Sequence, residues 1–89
     1  MHSVIFAERF VNDLTSVCST KVLDRILHNV ELLQTVPEMG SANLPDSIRE
    51  LFGEDVRKLS VAPFLVLYKV LPESEDVLVL GMVMQRQAR

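Results

Sequence analysis

"FLVLYKVLPESEDVLVLGMVMQ", residues 64–85, decides the fold. Two runs rich in apolar, β-branched and aromatic residues flank a short polar loop, PESED at 72–76. That pattern reads as two strands joined in a hairpin. With Leu71 opposite Val77, Tyr68 faces Leu80, Val66 faces Met82 and Phe64 faces Met84. One face then carries Phe64, Val66, Tyr68 and Val70 with Leu78, Leu80, Met82, Met84 and Arg86. The other carries Leu65, Leu67, Lys69 and Leu71 with Val77, Val79, Gly81, Val83 and Gln85.

Both faces are apolar, and helices can cover one. Gly81, opposite Leu67, lets a helix approach closely, so the Gly81 face is assigned to the helices. A slip of one residue reverses the assignment. The face of Tyr68, Leu80, Met82 and Met84 is then too apolar to be left in water. Either a partner chain or second copy covers it, or the N-terminal segment or a short helix does.

Working outward, Val56 to Ala62 forms the strand before the hairpin, Phe64 to Leu71 and Val77 to Gln85 being the other two. Upstream, "LPDSIRELFG" (44–53) offers Pro45 in a first turn and Gly53 as a C-cap, which predicts a short helix. Leu23, Ile26, Leu27, Val30 and Leu33 form the apolar stripe of a helix from Lys21 to about Gln34. Ser19-Thr20 is its N-cap, and Pro37 ends it. Phe6, Phe10, Leu14 and Val17 recur at helical spacing, with Asn12, Asp13 and Ser16 on the opposite face. Val4-Ile5-Phe6 is a short first strand. The class is α+β: an N-terminal strand and helical hairpin packed on an antiparallel sheet with a C-terminal three-strand meander. Residues 1–89 make one domain.

A hydrophobic fraction of 48% excludes a disordered chain. No run is long and apolar enough to span a bilayer, and no signal peptide is visible. Cys18 has no second thiol for a disulfide or metal site. It reads as a buried apolar cysteine in a reducing cytosol. The net charge is −3, distributed as −5 over residues 1–55 and +2 over residues 56–89. A nucleic-acid contact would therefore be local to the C-terminal half.

Three stretches together carry a resemblance: "LLQTVPEMG", "VRKLSVAPFLVLYKVL" and "DVLVLGMVMQRQAR". Their order and spacing resemble the RelE/ParE family of bacterial toxin–antitoxin toxins. Leu33, Pro37 and Gly40 match the segment after the helices; Arg57, the early strand arginine; Tyr68 and Val70, the central strand; and Arg86, the terminal arginine. The resemblance implies a toxin that an antitoxin wraps, covering the sheet's open face. It also implies one of two activities. RelE-like members cleave mRNA on the ribosome without a metal: basic residues hold the scissile phosphate, and the 2′-hydroxyl attacks it. ParE-like members inhibit DNA gyrase. Two features depart from the pattern. Met84 stands where many members have histidine, and the chain is acidic overall. A non-catalytic interaction module or degenerate toxin of the same fold is the alternative.

Taken singly, Arg57 is either a bidentate phosphate clamp or the partner of Glu50, Glu54 or Asp55. Arg86 can stabilise phosphoryl charge from a strand end, whereas Arg89 is the last residue and reads as a frayed terminus. Tyr68 either contacts substrate or packs its ring in the core, and Glu54 is a general-base candidate. Leu80, Met82 and Met84 are the expected partner-binding residues. His28 reads as solvated, and neither it nor His2 lies near the last strand. No cofactor or metal is expected. The expected partners are an antitoxin and the ribosome with mRNA or gyrase, or a second copy of the chain, in the cytoplasm.

Overall fold

A computed structural model describes residues 3–85. The chain runs β1 (Val4–Phe6), α1 (Glu8–Thr15), α2 (Thr20–Leu32), α3 (Asp46–Phe52), β2 (Arg57–Val61), β3 (Phe64–Val70) and β4 (Val77–Met84). The sheet order is β1-β4-β3-β2. The last three strands form the antiparallel meander, and β1 adds to β4 in parallel, so the sheet is mixed.

Local chemistry accounts for the helix ends. The chain leaves β1 with Ala7 N–H donating to the Val79 carbonyl at 2.9 Å, then turns directly into α1. The Ser19 hydroxyl accepts from Val22 N–H at 3.3 Å and caps α2. α2 closes at Leu32 through a short turn ahead of Pro37. Its Ile26 and Val30, with Leu33 just beyond, are fully buried, whereas Leu27 turns outward. Cys18 is exposed, contrary to the sequence expectation. Three residues, Ser16 to Cys18, link the end of α1 to the Ser19 cap, and Cys18 lies on the outside of that turn.

The hairpin departs from the expected regular register. Phe64, Leu65, Val66 and Leu67 pair with Met84, Val83, Met82 and Gly81 as anticipated. A bulge then shifts the ladder, and Tyr68 pairs with Val79 rather than Leu80. One extra residue in β4 reverses which face its first half presents. Val77 and Val79 therefore join Met82, Val66 and Tyr68 on one face, together with Phe10, Ile26, Val30 and Leu33. The helical hairpin covers the Tyr68 face, so the assignment of the Gly81 face to it is corrected. Met82 is accordingly buried, at 6% exposure, and not part of an open partner face. On the opposite face α3 takes up the short-helix role. Its Ile48 packs with Leu44, Val56 and Leu67, flanked by Phe52, Leu80 and Val83.

Phe10 is fully buried and meets Phe6 edge-on, with ring centroids 5.1 Å apart. Phe10→Ala is expected to lower the unfolding free energy by about 3–5 kcal/mol. Val11→Ala, on the exposed side of the same helix, should stay within about 0.5 kcal/mol of the parent. Urea unfolding of the two variants checks the pair.

Candidate functional site

Four residues singled out in the sequence meet around one short loop. Pro37 and Gly40 bound it after α2, and Arg57 and Tyr68 are paired neighbours on β2 and β3. The Tyr68 hydroxyl donates to the Pro37 carbonyl at 2.7 Å and accepts from Gly40 N–H at 2.9 Å. Arg57 Nη1 donates to the Gly40 carbonyl at 2.8 Å. Ser41 continues the contact by exchanging backbone bonds with Lys58 at 2.9 and 2.8 Å. The loop is thereby stitched onto β2.

Gly40 is required for this approach: a Cβ there would stand 2.5 Å from the Tyr68 hydroxyl and 2.7 Å from the Lys58 carbonyl. Tyr68 is 0% exposed. Burial pushes its phenol above the ordinary value of 10.0, against the lowering effects of the Gly40 amide and then the Arg57 charge, while Glu38 adds a smaller raising effect. A phenol held in this way is a structural bridge and cannot stack on a base. Among the described residues Arg57 makes none of the three expected ion pairs; its guanidinium is engaged by the Gly40 carbonyl. Glu54 is exposed at the far end of α3, where it shares a shallow depression with Asp46, Arg49 and Glu50. Arg86 and Arg89 lie outside the described residues, as does His2.

A separate groove of about 600 Å³ opens between the α1–α2 turn and the ends of β3 and β4. Val17, Val22, Phe64, Met82 and Met84 supply its apolar lining, and Arg9 and Asp13 stand at its polar end. Leu80 faces the other way, toward α3. The structure therefore separates the expected partner-binding trio: Met82 and Met84 line the groove, and Leu80 does not.

Sequence reasoning missed Asp13, which it left on the solvent side of α1. Its carboxylate accepts from Met82 N–H at 2.9 Å. Arg9 Nε stands 3.9 Å from the same oxygen, and the Arg9 guanidinium lies 4.6 Å over the Phe52 ring. The i,i+4 spacing of Arg9 and Asp13 was visible in the sequence, but its target strand was not. Among the described residues, no group of three or more His, Cys, Asp or Glu side chains is placed to hold a metal ion. No described helix is long and apolar enough to cross a membrane.

The sequence model for the ParE toxin of type II toxin–antitoxin systems, parDE, matches residues 4–88. The chain belongs to the ParE toxin family. It is thus the toxin component of a type II toxin–antitoxin system.

Solved structures share the fold of this ParE-family chain. The RelBE2 toxin–antitoxin complex of Mycobacterium tuberculosis aligns with a TM-score of 0.75 at 15% identity, over 94% of this chain and 98% of that one. The chromosomal ParDE system of P. aeruginosa gives 0.70 at 20%, over 94% and 96%. The archaeal RelE–RelB complex of Pyrococcus horikoshii OT3 gives 0.67 at 20%, over 98% of each. No curated protein matches the chain.

Tyr68 is the sole tyrosine, so phenolate absorbance reports it alone. Its folded-state pKa lies above the unfolded value. The unfolded chain therefore ionises first, and this stabilisation is complete below about pH 10 and lost as pH rises through the folded value. The native absorbance titration is expected to sit on the alkaline side of that of the urea-unfolded chain. Tyr68→Phe, which leaves Gly40 N–H and the Pro37 carbonyl unpaired, should cost about 1–3 kcal/mol near neutrality.

Proposed function

We propose that the chain acts as a single toxin domain over residues 1–89 in the cytoplasm, is neutralised by a cognate antitoxin, and inhibits DNA gyrase by binding it rather than by cutting mRNA. The observation that carries the choice of target is the engagement of Arg57 and Tyr68 by the 37–40 loop. These were the phosphate-clamp and substrate-contact candidates; the Tyr68 hydroxyl has both its partners in the loop, and Arg57 is tied to it through Nη1.

Three further features support the reading. Met84, at the position where the resemblance expects histidine, carries a thioether that moves no proton. Glu54 is on the α3 side of the sheet and away from the Met84 groove. The net charge of −3 gives no general attraction for RNA. A protein target suits such a surface better than a polyanion does. The antitoxin part is supported by two of the fold relatives, which were solved as toxin–antitoxin complexes. Met84 offers polarizable contact in the groove, and methionine suits a surface that must fit a partner chain.

The deciding experiment runs a gyrase supercoiling assay and primer extension on a translated message with the same purified protein. The expected result is inhibited supercoiling, with no ribosome-dependent cleavage by the wild type or by Met84→His. General acid–base catalysis contributes about 10²–10⁴-fold. If a slow nuclease were present, an imidazole at residue 84 would therefore reveal it. Cleavage by the wild type, or its appearance with Met84→His, would replace the gyrase reading with the ribonuclease one.

A further inference from the structure

We propose that Asp13 is a positioning residue of the toxin. Its carboxylate stands in for a missing edge strand at the Met82 amide, and so fixes the faces on which the end of β4 presents Met82, Val83 and Met84.

Val77 N–H points toward β1, donating to the Ser3 carbonyl at 2.8 Å. Val77, Val79 and Met82 share one face of β4. Backbone amides of residues on one face of a strand point to the same edge, so Met82 N–H also points to the β1 side. β1, however, ends at Phe6, paired with Val79, and the chain turns into α1. The Met82 amide is part-buried and has no strand beside it. Asp13, one and a half turns into α1, accepts that proton at 2.9 Å. An acceptor is needed here, because leaving the part-buried donor unpaired would be costly.

The same bond explains why the bulge is stable. In the unbulged ladder Tyr68 would oppose Leu80, and Val77 and Val79 would turn away from the helical hairpin. With the bulge, both halves of β4 contribute to the main core, and Asp13 holds the second half in place. Gly81 makes room for the arrangement: a Cβ there would lie 3.1 Å from Asp13 Oδ2, 3.3 Å from Arg9 Nε and 3.3 Å from the Phe52 ring. α1, α3 and β4 thus converge on one glycine. The Arg9–Asp13 contact, long at 3.9 Å and with side chains 49% and 30% exposed, contributes little by itself. The acceptor matters, and the charge pair is secondary. Bulges are common next to functional sites, and here the half of β4 beyond the bulge carries the groove's Met82 and Met84.

Asp13→Asn and Asp13→Leu separate the two effects. Both variants are neutral, similar in size and unable to pair with Arg9, but only asparagine keeps an acceptor oxygen. Backbone amide exchange of the purified chain is read at Met82 and, as a folding control, at Val79, alongside growth arrest on induction. Growth arrest serves whichever cellular target the toxin has, so the test does not depend on the gyrase reading. The expected result is wild-type Met82 protection and growth arrest for Asp13→Asn. For Asp13→Leu we expect exchange at Met82 at least about tenfold faster, with Val79 unchanged and growth arrest weakened. Loss of Met82 protection in Asp13→Asn would overturn the proposal, even if Asp13→Leu fails to fold. So would full protection in Asp13→Leu, or faster exchange there with undiminished growth arrest.

Discussion

The Tyr68 hydroxyl is the point on which the two layers of this toxin are joined. It lies at the bottom of the core, donates to Pro37 and accepts from Gly40. The chain leaving the helical hairpin must cross back to reach the sheet, and a buried crossing carries polar backbone that needs partners. The phenol supplies two of them from the centre of β3, and Arg57 supplies another from β2. A glycine at residue 40 lets the backbone come close enough for all three bonds. Without this junction, α2 would be held to the sheet by apolar packing, which is strong but does not specify direction, and by the bond from Arg25 to the Ala62 carbonyl at 3.0 Å.

The residues that carry the family resemblance are thus largely those that build this junction. Leu33 anchors the end of α2 in the core, Pro37 and Gly40 shape the loop, and Arg57 and Tyr68 bind it. Such residues report a fold. They do not by themselves report a reaction: the Tyr68 phenol has both its partners in the loop, and Arg57 is tied to it through Nη1. The groove beside Met84 lies apart from the junction and is bordered by the α1–α2 turn and the strand ends. The junction and the groove thus use different residues.

Much of the fold was legible from period alone. Apolar spacing gave the helical hairpin, the Ser19 cap and the Pro37 stop, and the polar loop at 72–76 gave the final hairpin. Half of its register followed from pairing Phe64 with Met84. The other half failed because a bulge is a single extra residue. Leu80 and Gly81 look the same in sequence whether both are in the ladder or one is looped out, yet the two cases turn Val77 and Val79 to opposite faces. The partner of β1 was also hidden, since three residues specify no register and the pairing with β4 spans most of the chain. Asp13 was misread for a related reason. A carboxylate on the polar side of a helix looks solvated until a strand edge is seen to end beside it.

The central claim is that Arg57 and Tyr68 act together on the 37–40 loop, as framework. A double-mutant cycle in unfolding free energy with Arg57→Met and Tyr68→Phe tests it most directly, since residues sharing one hydrogen-bonded network couple and independent ones add. A coupling of at least about 0.5 kcal/mol is expected, because once either side chain releases the loop the other has less to hold. Additivity within about 0.3 kcal/mol would contradict it, and would return Arg57 to the pool of residues free for a substrate.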